Sequence, residues 1–455
     1  MRTSPLSSRP LLTLLALLAL SLPTAASAQN TTPPPAASSS APVRPMMAPE
    51  VVPAGALNVR TFGAVGNGQA KDTAAFQKAL DAARDAGGGI VYIPGGSYLI
   101  GSITVGSNTT LQFSRAAMLT GSPDIADYPL GTVRYEGEYV SGHRALISAT
   151  NASNVTLTGP GWIFGPPASL SRLRSPRGPV LLEFTACANV TLDGFTAQYQ
   201  MLWTIHPLLC TNFTARNLII RSVGSNSDGI DVDSCSGVLI DHCNIDTGDD
   251  AIALKSGRGQ AAVTLARPTE NVEITHCSLL SSIFGALAIG SEISGGIRHI
   301  HVADCVLSGH QNSIFIKSRD GRAGFIDDIN GENLTVYNSP TFVCFNLAAT
   351  GIQATDPVPG DVAQWTRATN IRFANVELIN VTDAVLVRPL KGLDGIPAAV
   401  PADGLSFTNI HGTATHGFTL TNIANVTISN LALTGYTLPL FTLKNVQGTG
   451  LEEPK

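Results

Sequence analysis

What most constrains this chain is a loose internal repeat. Short phrases of one pattern begin at residue 154 ("NVTLTG"), 189 ("NVTLDG"), 217 ("NLIIRS"), 237 ("GVLIDH"), 271 ("NVEITH"), 370 ("NIRFAN") and 425 ("NVTISN"). In the central block they lie 28, 20 and 34 residues apart. A second phrase ("GIDVDS", "AIALKS", "ALAIGS", "SIFIKS") ends at Ser234, Ser256, Ser291 and Ser318, with separations of 22, 35 and 27. The longest of these separations contains "GRGQAAVTLARPTE", which reads as a loop. Periods of this size mark solenoids. Short strands punctuated by Gly and Asn, with no helix long enough for a crossover between parallel strands, predict an all-β parallel β-helix in which each repeat is one coil.

Composition agrees with that reading. With 44 Gly, 28 Pro and 6% aromatic residues, the chain is turn-rich rather than helical. A net charge of −5 over 455 residues indicates no surface for a polyanion, so nucleic acid is not an expected partner. Residues 1–28 read as a signal peptide: Arg2 and Arg9 precede the apolar run "LLTLLALLAL", and "ASA" ends at Ala28. Residues 29–55 are Pro, Ala, Ser and Thr with few large apolar side chains and read as a disordered linker. The folded domain is expected over 56–455, with a cap and first strands over 56–100. There Ala75, Phe76, Ala79, Leu80 and Ala83 form one helical stripe, Asp72 is the candidate N-cap, and Gly87 to Gly89 end the helix. A short helix of this kind can cover the unpaired end of a strand stack. No later stretch reads as membrane-spanning, so a secreted or periplasmic monomer without a membrane partner is expected.

The seven cysteines follow the coil length. Cys187, Cys210 and Cys235 form one series, and Cys243, Cys277 and Cys305 another. They predict buried ladders of small residues, although an exported protein also allows one or two disulfides. No CxxC pair occurs and histidine does not cluster with Cys or carboxylates along the chain, so neither a metal nor another cofactor is expected.

Within "NSDGIDVDSCSGVLIDHCNIDTGDDAIALKS", Asp228 precedes Asp249 and Asp250 by about one coil. Stacking puts them in equivalent places on neighbouring coils, with backbones about 4.7–4.9 Å apart. Carboxylates that close raise one another's pKa, leaving a general acid protonated near neutral pH beside ionised bases, as glycoside hydrolysis requires. Asp231 and Asp233 fit a structural or solvent-facing role. The adjacent pair in "TGDDAIALKSG" does not, because two neighbouring carboxylates repel.

These residues carry a resemblance. "NSD" (226–228), "TGDDAIALKSG" (247–257), "IGSEISGGIR" (289–298) and "IKSRDGRAG" (316–324), in this order, resemble the polygalacturonases of glycoside hydrolase family 28. "FGAVGNGQAKDTAAFQKAL" resembles the N-terminal cap of its bacterial members. The resemblance implies a right-handed parallel β-helix that hydrolyses α-galacturonosides of a pectic polysaccharide or oligosaccharide, with inversion and without metal. It implies that Asp249 protonates the leaving oxygen, that Asp228 and Asp250 activate water, and that Asn226 orients the first of those carboxylates. Two positions depart from the family. Phe284 or Gly285 stands where these enzymes carry a histidine, and Phe315 replaces the arginine of an Arg-Ile-Lys motif whose lysine, Lys317, remains. That arginine and lysine bind the sugar carboxylate on the leaving-group side, so Phe315 keeps open a rhamnogalacturonan hydrolase of the same family. A noncatalytic pectin-binding β-helix and a calcium-dependent lyase are the other readings.

Further candidates for substrate contact are Lys317, Lys255, Glu292, Arg319 and His206, with Trp203 either a sugar platform or core. Asn154, Asn189 and their equivalents open strands and predict a ladder at the coil turns. Insertions near 122–145, 166–179 and 351–366 break the coil pattern and carry no motif; such loops decide whether a groove is open or blocked.

Overall fold

In a computed structural model the chain is described over residues 52–319, 321–347, 366–388 and 402–454. The signal peptide and nearly all of the linker lie outside the described residues, as does the insertion over 351–365. The described strands build a 31-stranded sheet wound as a parallel β-helix, and a separate two-stranded hairpin stands outside it. Ile230, Ile252, Leu287, Ile314 and Val343 are successive partners across parallel strands. All five are buried inside the coil. Asp231, Ala253, Ala288, Phe315 and Cys344 form the adjacent column, pointing to the other face because strand side chains alternate. The second phrase therefore measured the coil length correctly.

The first phrase did so only in part: Val155 pairs with Val190 and Val238 with Val272, as its spacing implies. "NLIIRS" belongs to strand Ile219–Val223, which pairs with Thr196–Gln200 and Asn244–Thr247 on a different face. The coil neighbour of Val190 is Phe213, followed by Val238. Coil steps there are 23 and 25 residues, as the bonds Asn212–Asn189 and Cys210–Cys235 show. Different faces of a β-helix share one alternating pattern, so the pattern does not say to which face a strand belongs. The presumed loop "GRGQAAVTLARPTE" also contains a short helix, Gly259–Leu265.

Two side-chain stacks lock the coils in register. Asn108, Asn154, Asn189 and Asn212 all take left-handed φ values of 55 to 57°, a conformation Asn tolerates better than most residues. The amides of Asn154, Asn189 and Asn212 each donate to the Asn one coil earlier, at 2.8, 2.9 and 3.0 Å. The seven cysteines are buried free thiols. Cys210 N–H donates to Cys235 Sγ at 3.2 Å, and Cys243 and Cys277 donate in the same way to Cys277 and Cys305 at 3.4 Å.

Helix Thr73–Asp85 buries the anticipated stripe of Ala75, Phe76, Ala79, Leu80 and Ala83. Asp72 sits at its N-cap position but makes no capping bond. Its carboxylate turns back to accept from the N–H groups of Val65 (2.6 Å) and Gly66 (3.0 Å), tying down the preceding loop. Among the described residues no helix is long and apolar enough to cross a membrane.

Phe213 is buried inside the coil, its ring centroid 6.1 Å from that of Phe184 one coil earlier. Phe213→Ala is expected to destabilise the protein by about 3–5 kcal/mol, the cost of an aromatic-sized cavity. The denaturant midpoint, followed by far-UV circular dichroism, checks this.

Candidate active site

Glycines bring the carboxylates together. A Cβ on Gly229 would lie 2.4 Å from Ala251 O, and one on Gly248 would lie 2.2 Å from Gly224 O. Only glycine lets these turns approach so closely, which answers why each acidic cluster has a glycine beside it. Gly229 N–H bonds to Asp250 O at 3.0 Å, so Asp228 stacks on Asp250 across the coil step. Asp249 lies one residue earlier, where its oxygens accept from the backbone N–H groups of Asn226 (2.7 Å) and Asp250 (2.9 Å). One oxygen of each of the three carboxyl groups lies within 4.8 Å of the others. They form the floor of a cleft of about 380 Å³.

Two lysines offset this negative charge. Lys317 Nζ lies 2.6 Å from Asp250 Oδ2, whose other oxygen accepts from Gly285 N–H at 3.1 Å. Lys255 Nζ lies 2.6 Å from Asp231 and 3.6 Å from Asp228, and 3.8 Å above the Trp203 ring. Burial opposes both ammonium charges, but the surrounding carboxylates outweigh it and raise both pKa values. Burial, reinforced by Asp231 and Asp249, pushes Asp228 well above the usual carboxylate range. Burial and then the neighbouring Asp250 push Asp249 up to about 6, against the pull of Lys317. The cluster thus holds a proton near neutral pH that belongs to coupled groups rather than to one residue.

Of the anticipated residues, Asn226, Asp228, Asp249, Asp250, Lys255, Glu292 and Lys317 all line the cleft. Asn226 bonds to Asp249 through its backbone N–H, not to Asp228. Burial opposes ionisation of Glu292, but Lys255, Arg322 and Lys317 outweigh it and hold its pKa low. His206 and Arg319 are not among the cleft residues. His206 is packed beneath, its Nδ1 3.4 Å from Glu183 and its ring 5.0 Å from Trp203. Asp231 and Asp233, expected to be structural or solvent-facing, are buried rather than solvent-facing and pair with Lys255 and Arg134.

Sequence reasoning missed Arg322 and Glu136, which also line the cleft. Arg322 stands three residues after Arg319 in "SRDGRAG", past the repeated strand phrase, so the strand pattern does not say which arginine lines the cleft. The gap at the histidine position also resolves: Phe284 lines the cleft, while Gly285 supplies a backbone donor to Asp250.

Among the described residues two groups could accept a metal ion, the three carboxylates and the set Asp241, His242 and His276. The second corrects the expectation that histidine does not cluster. His242 and His276 lie one coil apart, their rings stacked at 4.5 Å, with Asp241 bridging the two Nδ1 atoms at 2.8 and 3.0 Å.

A right-handed parallel β-helix with carboxyl groups from adjacent coils on a cleft floor defines a β-helix glycosyl hydrolase. The profile of Glycosyl hydrolases family 28 matches residues 96–344, and the chain belongs to that family. A profile described as Rhamnogalacturonase A/epimerase, pectate lyase-like, matches residues 56–129. A "Probable polygalacturonase" of Vitis vinifera is 30% identical over 372 residues, covering 77% of this chain and 72% of that protein. An exopolygalacturonase of Thermotoga maritima is structurally similar at a TM-score of 0.73 and 23% identity, covering 85% of this chain and 93% of the other. For a family 28 exopolygalacturonase of Yersinia enterocolitica the TM-score is 0.74, with 20% identity and coverage of 88% and 79%.

Because Asp249 binds its proton more tightly in the fold than an unfolded aspartate does, the native state holds the extra proton between about pH 4 and 6. Stability therefore falls as pH rises through that window. Relative to an Asp249→Asn variant, the wild type is expected to lose roughly 1–3 kcal/mol between pH 4 and 7. Urea unfolding of both proteins across this range tests the slope.

Proposed function

We propose that this chain hydrolyses the galacturonan backbone of pectin with inversion, without a metal, and acts outside the cytoplasm as a secreted or periplasmic enzyme. The observation that carries the reading is the meeting of Asp228, Asp249 and Asp250 in a cleft also lined by Lys317 and Arg322. Asp249 is the general acid. Two backbone N–H groups fix its orientation, and it is 8% exposed, the most of the three. It delivers its proton to the glycosidic oxygen as the bond to the anomeric carbon breaks. Water attacks that carbon from the opposite face and passes its proton to the Asp228–Asp250 pair.

The nearest oxygens of the three carboxyl groups lie within 4.8 Å of one another, and inversion requires roughly 6.5–9.5 Å between acid and base to admit the water; in this reading the water stands on the cleft side of the Asp228–Asp250 pair. Crowding has a second effect: carboxyl groups with raised pKa values carry less charge, which lowers the repulsion felt by an anionic sugar.

Phe315 leaves an apolar surface where the family places an arginine, and this favours a second reading with neutral rhamnose on the leaving-group side. Arg322 supports galacturonate instead. Nearly fully buried and lining the same cleft as Lys317, it brings a guanidinium from a different sequence position, and that group suits a carboxylate.

Incubation with polygalacturonate and, separately, rhamnogalacturonan, with products identified by mass, decides between the two. The expected result is cleavage of polygalacturonate, with kcat about 10²–10⁴-fold lower in Asp249→Asn. Arg322→Leu is expected to lower kcat/KM on polygalacturonate about 10- to 100-fold, the worth of a charged hydrogen bond. Cleavage of rhamnogalacturonan alone supports the second reading, and tight pectin binding with no turnover returns the protein to a noncatalytic binder. Activity is expected to decline as pH rises past the apparent pKa of the cluster, because the acid must be protonated. A chelator is expected to leave the rate unchanged.

A further inference from the structure

The outward column of a β-helix sheet ordinarily faces solvent, yet here part of it is sealed. His206 and Asp231 are 0% exposed, Asp233 1% and Lys255 5%. The hairpin Leu130–Tyr135/Glu138–His143, formed by the first motif-free insertion, packs over this part of the sheet. Arg134 Nε reaches Asp233 Oδ2 at 3.1 Å in a buried ion pair. Tyr135 stacks on Trp203 at 4.9 Å, and the Arg177 guanidinium lies 3.5 Å from the Tyr135 ring centre on its other side. At the tip, Gly137 O accepts from Arg258 N–H at 3.3 Å and Glu138 pairs with the Arg258 guanidinium.

The hairpin is firmly seated. Its turn residues Glu136 and Gly137 have φ values of 46 and 81°, the left-handed pair that tight two-residue hairpins require. A Cβ on Gly137 would lie 2.9 Å from Arg258 N and 3.0 Å from Glu292 Cγ, so the turn is pressed onto the wall beneath it. The hairpin leaves the helix just before strand Ile147–Thr150 and reaches residues that follow strand Ile252–Lys255. It therefore crosses the coils that precede Asp249 and Asp250, and only its turn reaches Glu292 on the coil after them. Glu136 and Trp203 form the cleft wall on that side. Among the described residues the far side is more open: Lys317 and Asn346 are half-buried and Gln311 is exposed.

We infer that this hairpin blocks the groove on one side of the carboxylates, so that the enzyme binds a chain end and trims short units from it instead of cutting internal bonds. The inference rests on the galacturonan reading above. A polymer continuing past the carboxylates would have to occupy the volume of Tyr135 and Trp203. A cleft of about 380 Å³ is small for a ligand site and suits a terminus of one or two sugars. With Lys317 on the leaving-group side, as proposed, the blocked side takes the glycon, and trimming starts at the non-reducing end.

The test uses long polygalacturonate labelled at its reducing end, with product sizes and viscosity followed from the first turnovers. Wild type is expected to release unlabelled mono- or disaccharide while the labelled material shortens gradually and viscosity falls slowly. A variant with Thr132–Ser141 replaced by Gly-Ser-Gly, and independently Tyr135→Ala, are expected to produce labelled fragments of intermediate length, or a severalfold larger share of longer unlabelled products. The point variant keeps the test decisive if the shortened protein does not fold. A ladder of labelled intermediates from wild type at the outset overturns the inference while leaving the hydrolase reading intact. Folded hairpin variants with an unchanged product pattern overturn the role of the hairpin, and early release of the label overturns the side assigned to it. No cleavage of any pectic polymer overturns the galacturonan reading, and this inference with it.

Discussion

The parallel backbone ladder between coils is the constraint on which the rest of this protein depends. Once Ile230, Ile252, Leu287 and Ile314 are fixed as successive partners, every side chain has a near-copy of its own position about 4.8 Å above and below it. Neutral groups gain from this repetition. Asn amides chain together along the turns, and thiols stack against backbone N–H groups. Charged groups do not, and Asp228 over Asp250 is the case that matters. A purely structural solenoid would avoid such a pair. Here burial first, and the neighbouring carboxylates after it, raise the pKa values of Asp228 and Asp249, which suits the acid role proposed for the cluster.

The two lysines divide that cluster. Lys255 is committed to Asp231 and Asp228, over the Trp203 ring, while Lys317 is committed to Asp250 on the open side. Neither is an idle surface charge, and each limits how far its neighbouring carboxylates can be driven towards neutrality. The hairpin strengthens both effects. By excluding water from Asp231, Asp233 and Lys255 it lowers the local dielectric, in which ion pairs are stronger and an uncompensated charge costs more. The element that shapes the groove thus also tunes its electrostatics.

Substitution of the family's arginine by Phe315 shows how far a motif can mislead when it is read as a string. A guanidinium is defined for a substrate by where it sits, and Arg322, five residues after Lys317, lines the same cleft. The histidine position behaves differently. Its place is divided between an apolar side chain, Phe284, and a backbone donor, Gly285, and no histidine lines the cleft among the described residues.

Much of the architecture was legible in the sequence because a solenoid repeats locally. The spacing of the "IALKS"-type phrases, the Cys series and the Asn turns each report the same coil length, and the carboxylate cluster follows from it. What failed was whatever depends on a face or on a distant segment. "NLIIRS" was placed on the wrong face because alternation carries no face label, Asp72 turned away from its helix towards an earlier loop, and His242 met His276 only through a coil step. The amino-acid sequence by itself determined the β-helix, its register along the site strands and the identity of the acidic trio, since all three rest on period and local pattern. Only the tertiary structure decided that Arg322 rather than Arg319 lines the cleft, that His206 is buried, and that Tyr135 closes on Trp203 across the sheet. Those outcomes depend on where an irregular loop comes to rest, and no periodic pattern encodes that.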